Sequence, residues 1–117
     1  MKPATFIRLS DGGELPFSFG MAALSNFLEE EGMTLTDLGA LQENLTLARI
    51  MRILHHGFRD GHRREGLPYQ LKIDDIGDLM DDNPGLMNKC LEVFATSMPA
   101  LTEGNDQKPT PIKRKVG

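Results

Sequence analysis

The segment over residues 44–59, NLTLARIMRILHHGFR, constrains the chain more than any other. Leu47, Ile50, Met51, Leu54 and Phe58 recur at the spacing of one helical face, and Leu45, Ala48 and Ile53 widen that face beyond half the circumference. A helix so broadly apolar needs partners on more than one side, so it belongs at the centre of a fold. Asn44 is a good N-cap, and the helix is expected over 44–59.

The flanking segments supply those partners. Over 5–19 the apolar period is two, with Thr5, Ile7 and Leu9 on one strand and Leu15, Phe17 and Phe19 on the other; the SDGG sequence between them fits a hairpin turn, and Pro16 marks an edge. From Met21 the period becomes helical through Leu24, Phe27 and Leu28. Gly32 is placed as a left-handed C′ residue, with Met33 at C″ meeting Leu28 at C3. Thr34 and Asp37 resemble a capping box opening a short turn through Leu38. Residues 61–69, GHRREGLPY, have no period and read as an exposed loop. A third helix is expected over 74–82 with Ile76, Leu79 and Met80 inward. Asn83 as N-cap and Pro84 at N1 then open a last helix, whose Met87, Cys90, Leu91, Phe94 and Met98 repeat the central spacing and pack against it.

Together these give a mainly α fold: about four helices with an N-terminal β-hairpin, one domain over 1–99 and a disordered tail over 100–117. A chain of 117 residues has room for one core, and 39% apolar with 26% charged residues is a folding composition.

A net charge of −4 weighs against nucleic acid and anionic membranes, and no apolar run is long enough to span a bilayer. The first residues lack the apolar core of a signal peptide, and a cytosolic protein is expected. The lone Cys90 reads as a small core hydrophobe. Asp74, Asp75, Asp78, Asp81 and Asp82 lack the alternating ligands and turn glycine of a calcium loop and read as a solvated helix face. His55 and His56 are adjacent and point about 100° apart on a helix, so with His62 they make no zinc site; no metal or cofactor is expected. No phosphate loop or nucleophile elbow is present, and the chain reads as non-enzymatic. Arg59, His62, Arg63 and Arg64 form a basic cluster, but the long helices carry core stripes rather than the polar face of a recognition helix. Glu29, Glu30 and Glu31 crowd a helix C-terminus, where the dipole disfavours anions. The plain reading is a soluble, slightly frayed helix end, although such conflicts also mark functional surface. Seven methionines give adaptable packing, most of them in the core.

The order of these pieces resembles the small tail assembly chaperones of long-tailed bacteriophages and prophages. The resemblance is carried by FSFGMAALSNFLEEEGMTLTDL, by NLTLARIMRILHHGFRDGHRREG and by LKIDDIGDLMDDNPGLMNKCLEVFATSMP, over most of residues 15–99. It implies a protein of the host cytoplasm that holds the helix-rich tape measure protein soluble during tail tube assembly, many copies to one client, and that leaves before the virion is complete. It also implies a longer frameshifted product that recruits tail tube protein. In that setting the candidate protein contacts are Glu29, Glu30 and Glu31 with the tail residues Lys113, Arg114 and Lys115, although the PIKRKV segment has no counterpart in the family pattern. The alternatives are a head-tail connector or tail terminator subunit, and a small DNA-binding regulator using residues 59–64.

Overall fold

A computed structural model describes residues 3–102, which carry a two-stranded antiparallel sheet and five α-helices. Strands β1 (Thr5–Arg8) and β2 (Glu14–Phe17) pair with Thr5 opposite Phe17 and Ile7 opposite Leu15. The turn closes through the Gly13 carbonyl, which accepts from the Leu9 amide at 2.7 Å, with Gly12 at φ +93°. The register sends Ile7 and Phe17 inward and leaves Thr5 exposed. A lone ribbon is marginal in water, and here its inner face is covered by helices.

Helix α1 (Met21–Glu31) ends as its sequence predicts. Gly32 is left-handed at φ +66°; its amide donates to the Glu29 carbonyl at 3.2 Å, and the Met33 amide donates to the Leu28 carbonyl at 2.9 Å. The Thr34 amide then donates to the Asp37 carboxylate at 2.7 Å, opening a turn that leads into the short helix α2 (Leu38–Leu41).

Helix α3 (Leu47–Arg64) differs from expectation at both ends. It starts after Thr46, whose Oγ1 accepts from the Arg49 amide at 3.2 Å; Asn44 lies in the preceding turn and does not cap it. It continues five residues past Arg59, so the first part of the expected loop is helix, and Gly66 at φ +68° ends it with Leu67 donating to the His62 carbonyl at 2.9 Å. The reason lies in Gly57 and Gly61, one turn apart on one face. A Cβ at Gly57 would strike the Phe17 ring and one at Gly61 the Pro16 backbone, so the missing side chains let β2 lie directly on the helix. The Ser18 amide donates to the Gly57 carbonyl at 3.1 Å across this contact. Glycine lowers helix propensity, but tertiary packing overrides it here.

Helix α4 (Ile73–Asp82) buries Ile76 fully, with Leu79 and Met80 half-buried. Asn83 does not cap the last helix. It is buried between elements: its Nδ2 donates to the Leu79 carbonyl at 2.8 Å and its Oδ1 accepts from the Ser10 amide at 2.6 Å, which ties the end of α4 to the hairpin. Gly85 at φ +89° is incompatible with helix, so Pro84 and Gly85 form a turn before α5 (Leu86–Thr102). Pro99, the expected end of that helix, lies within it; proline forfeits its own amide donor without forcing later residues out of the helix. Residues 100–102, expected as the start of the tail, are helical, and residues 103–117 lie outside the described residues.

The core lies where α3 meets β2, α1 and α5. Phe17 and Phe58 pack edge to face at 5.2 Å and Phe19 and Phe94 at 4.7 Å, with Phe27, Ile53, Leu54 and Cys90 fully buried among them. Each buried aromatic or aliphatic side chain contributes about 1.5–3 kcal/mol of transfer free energy. Among the residues whose side chains are described, no methionine belongs to this centre. Met33, Met51 and Met80 are half-buried against it, Met87 is half-buried and Met21 is exposed, whereas most methionines were expected inside. Among the described residues no helix is long and apolar enough to cross a membrane.

Candidate protein-binding groove

The second half of α3 buries three polar side chains, His56, Asp60 and His62, and each makes at least one specific hydrogen bond. Asp60 accepts from the Ser18 hydroxyl at 2.5 Å, from Arg63 Nη2 at 2.6 Å and from Arg64 Nε at 3.0 Å. Burial by itself pushes this carboxyl upward, but the donors from Ser18, Arg63 and Arg64 outweigh it and hold the group below its ordinary value. Gly20 makes room for this network, because a Cβ there would strike the Arg64 guanidinium. Two of the three arginines in the basic cluster thus pair with an internal carboxylate, Arg64 largely buried and Arg63 half exposed, while Arg59 is exposed and outside that pairing.

The acidic end of α1 is fixed in the same way from the first half of α3. Glu31 has a side chain only 4% exposed; Arg49 Nε lies 2.8 Å from its Oε1, and the Arg52 guanidinium pairs with both oxygens. The Arg52 hydrogen bond, opposed by burial and reinforced by Arg49, holds the Glu31 carboxyl below its ordinary range. Glu30 meets His56 Nε2 at 2.6 Å, and Glu29 is exposed. The conflict with the helix dipole is therefore answered by two arginines and a histidine across the seam. The end is held rather than frayed, and the Glu31 carboxylate is committed internally. Lys113, Arg114 and Lys115 lie outside the described residues.

Alongside this seam runs a groove of about 520 Å³. Ala22, Ala23 and Asn26 of α1 form one wall, His56, Arg59 and Arg63 of α3 another, and Leu67 and Tyr69 close the end. Tyr69 is held by its hydroxyl, 2.9 Å from His55 Nδ1, and burial raises the pKa of that hydroxyl. Burial, then the neighbouring His56, lowers the pKa of His55, so at neutral pH His55 is the uncharged acceptor of the tyrosine proton. Alanine side chains leave space for a backbone to approach, Leu67 is 47% exposed at the rim, and Arg59 presents a cation. The combination suits an amphipathic segment that places an apolar side chain on the alanines and an acid beside Arg59.

None of this network stands out from periodicity. Its sequence signal is an acid three and four residues before two arginines, inside a helix whose glycines are four apart. Comparison of the chain with protein families, with curated proteins and with solved structures finds no match.

Proposed function

We propose that the protein is a tail assembly chaperone of a long-tailed phage or prophage, which binds the tape measure protein non-catalytically and keeps it soluble while the tail tube assembles. The observation that carries this reading is the order of segments: a strand, an apolar helix with an acid and glycine stop, a short turn, a central helix, an acidic short helix and a final amphipathic helix. The groove between α1 and α3 supports it, since its alanine wall and exposed rim suit a helical client. The methionines ringing the core add apolar surface that adapts to an irregular partner. Each contact with an elongated client can be weak, because several copies along one chain supply avidity. On this reading the protein acts in the host cytoplasm, self-associates along its client, is missing from the mature virion, and meets tail tube protein through a longer frameshifted product. The rival DNA-binding reading loses support from Asp60, which engages Arg63 and Arg64 internally.

Co-expression with the helix-rich tape measure protein tests the proposal. A client that stays soluble and co-purifies with several copies of this chain supports it, and a charge-reversing Arg59→Glu weakens that complex. A client that precipitates regardless, or copies of this chain retained in finished virions, would sink it.

A further inference from the structure

A second groove, of about 580 Å³, runs along α4. Asp75, Asp78 and Asp82 line one side, and Leu15 and Leu79 supply apolar wall. None of these three carboxylates is in an ion pair among the described residues. His62 also lines the groove and is only 8% exposed. Its Nδ1 lies 2.6 Å from the Phe58 carbonyl oxygen, which can only accept, so Nδ1 donates there and Nε2 faces elsewhere. The groove is therefore lined by three carboxylates and a buried imidazole, with no lysine or arginine among its lining residues.

The same chain carries a complementary segment. Four of its 13 lysines and arginines fall in KPTPIKRKVG over 108–117, as Lys108, Lys113, Arg114 and Lys115. Pro109 and Pro111 favour extended backbone, in which Lys113 and Lys115 share one face and Ile112, Arg114 and Val116 the other. Residues two apart on an extended chain are separated by about 6.8 Å. Asp78 and Asp82, four apart on a helix, are separated along its axis by about 6 Å. Reach also fits. Ser97 of α5 borders the same surface recess as Ser18, and Leu15 of the acidic groove is three residues from Ser18, about 10 Å along the strand. The stretch over 103–113 spans up to about 36 Å when extended, ample for that return.

We propose that the basic segment around Lys113–Lys115 docks in the α4 groove of its own chain, with Lys113 and Lys115 on Asp78 and Asp82 and Ile112 and Val116 toward Leu15 and Leu79. The docking rests on charge, spacing and reach, and stands whether or not the protein is a chaperone.

The test uses the full chain with a nitroxide on Gly117→Cys. Cys90 does not compete for the label, since it is fully buried and burial pushes its thiol up to about 12. The expected result is paramagnetic loss of amide signals confined to the lining of this groove. The signals return in about 0.5 M salt, where screening is nearly complete beyond contact, and return equally in an Asp78→Asn, Asp82→Asn double variant. Loss that is absent, spread evenly over the domain or indifferent to the double variant overturns the proposal. So does loss seen on an unlabelled isotopic chain mixed with the nitroxide chain, which would give the segment to a second copy.

Discussion

The two halves of α3 invert what their sequences suggest. The first half carries the regular apolar stripe, yet only Ile53 and Leu54 near its end are fully buried, while Leu47 is 62% exposed and Ile50 and Met51 are half-buried. The second half carries two glycines, two histidines, an aspartate and three arginines, yet Gly57, Phe58, Asp60, Gly61 and His62 are all buried. What decides burial is the neighbour. The second half lies under β2 and against α1, where side chains that can be absent or paired pack best, whereas the first half meets α1 through the Glu31 ion pairs and α4 where Met51 faces Gly77.

The comparison breaks most visibly at Asp60. Asp60→Ala leaves Arg64 and the Ser18 hydroxyl without their shared acceptor, and removing one partner of a buried pair costs about 3 kcal/mol or more. Chemical denaturation should show a lower midpoint; a midpoint equal to wild type would mean that the arginines are as content in water. Gly61→Ala comes next, because its Cβ meets the backbone of Pro16 rather than a movable side chain. Overpacking of this kind costs about 2 kcal/mol, although alanine is the better helix former. If Gly61→Ala stabilises the protein, the close approach of β2 does not exist.

In the first half the largest expected effect comes from charge. Glu31→Gln gives up one charged acceptor for Arg49 and Arg52, with a cost of ~1–2 kcal/mol near neutral pH. The pH dependence follows from the sign of the shift. Glu31 titrates lower when folded than its ordinary 4.5, so its contribution is present above that value and is lost as pH falls through the folded pKa. Asp60 acts in the same direction from its ordinary 3.8. Thermal midpoints should therefore decline below about pH 4.5, and less steeply in Glu31→Gln; parallel declines would remove Glu31 from the account. The smallest effect belongs to the residue that heads the apolar stripe. Leu47→Ser should change stability by less than ~0.5 kcal/mol, and a cost of core size would show that something covers Leu47 in the folded chain.

What was legible in the sequence follows the same division. Gly32 with Leu28 and Met33, and Thr34 with Asp37, could be read because each motif is closed within a few residues. The mainly helical class with its hairpin was readable from the change in period. The continuation of α3 to Arg64 was hidden, because Gly57 and Gly61 signal a break locally and a contact only when β2 is in place. Asn83 followed by Pro84 matches a helix start, and the positive φ of Gly85 is what cancels it. The pairing of Glu31 with Arg49 and Arg52 joins residues about 20 apart, so the excess of acid at the end of α1 was visible and its remedy was not.

Native-state hydrogen exchange, resolved by residue, tests the central claim most directly: that α3 from Ile53 to Arg64 is the anchor of the domain. Amides from Ile53 to Arg64 should exchange only through global unfolding, while those from Ile50 to Arg52 exchange faster through local opening. Amides of residues 61–64 that exchange as fast as those of the loop around Leu67 and Pro68 would contradict it, and would return that segment to the loop its composition suggests.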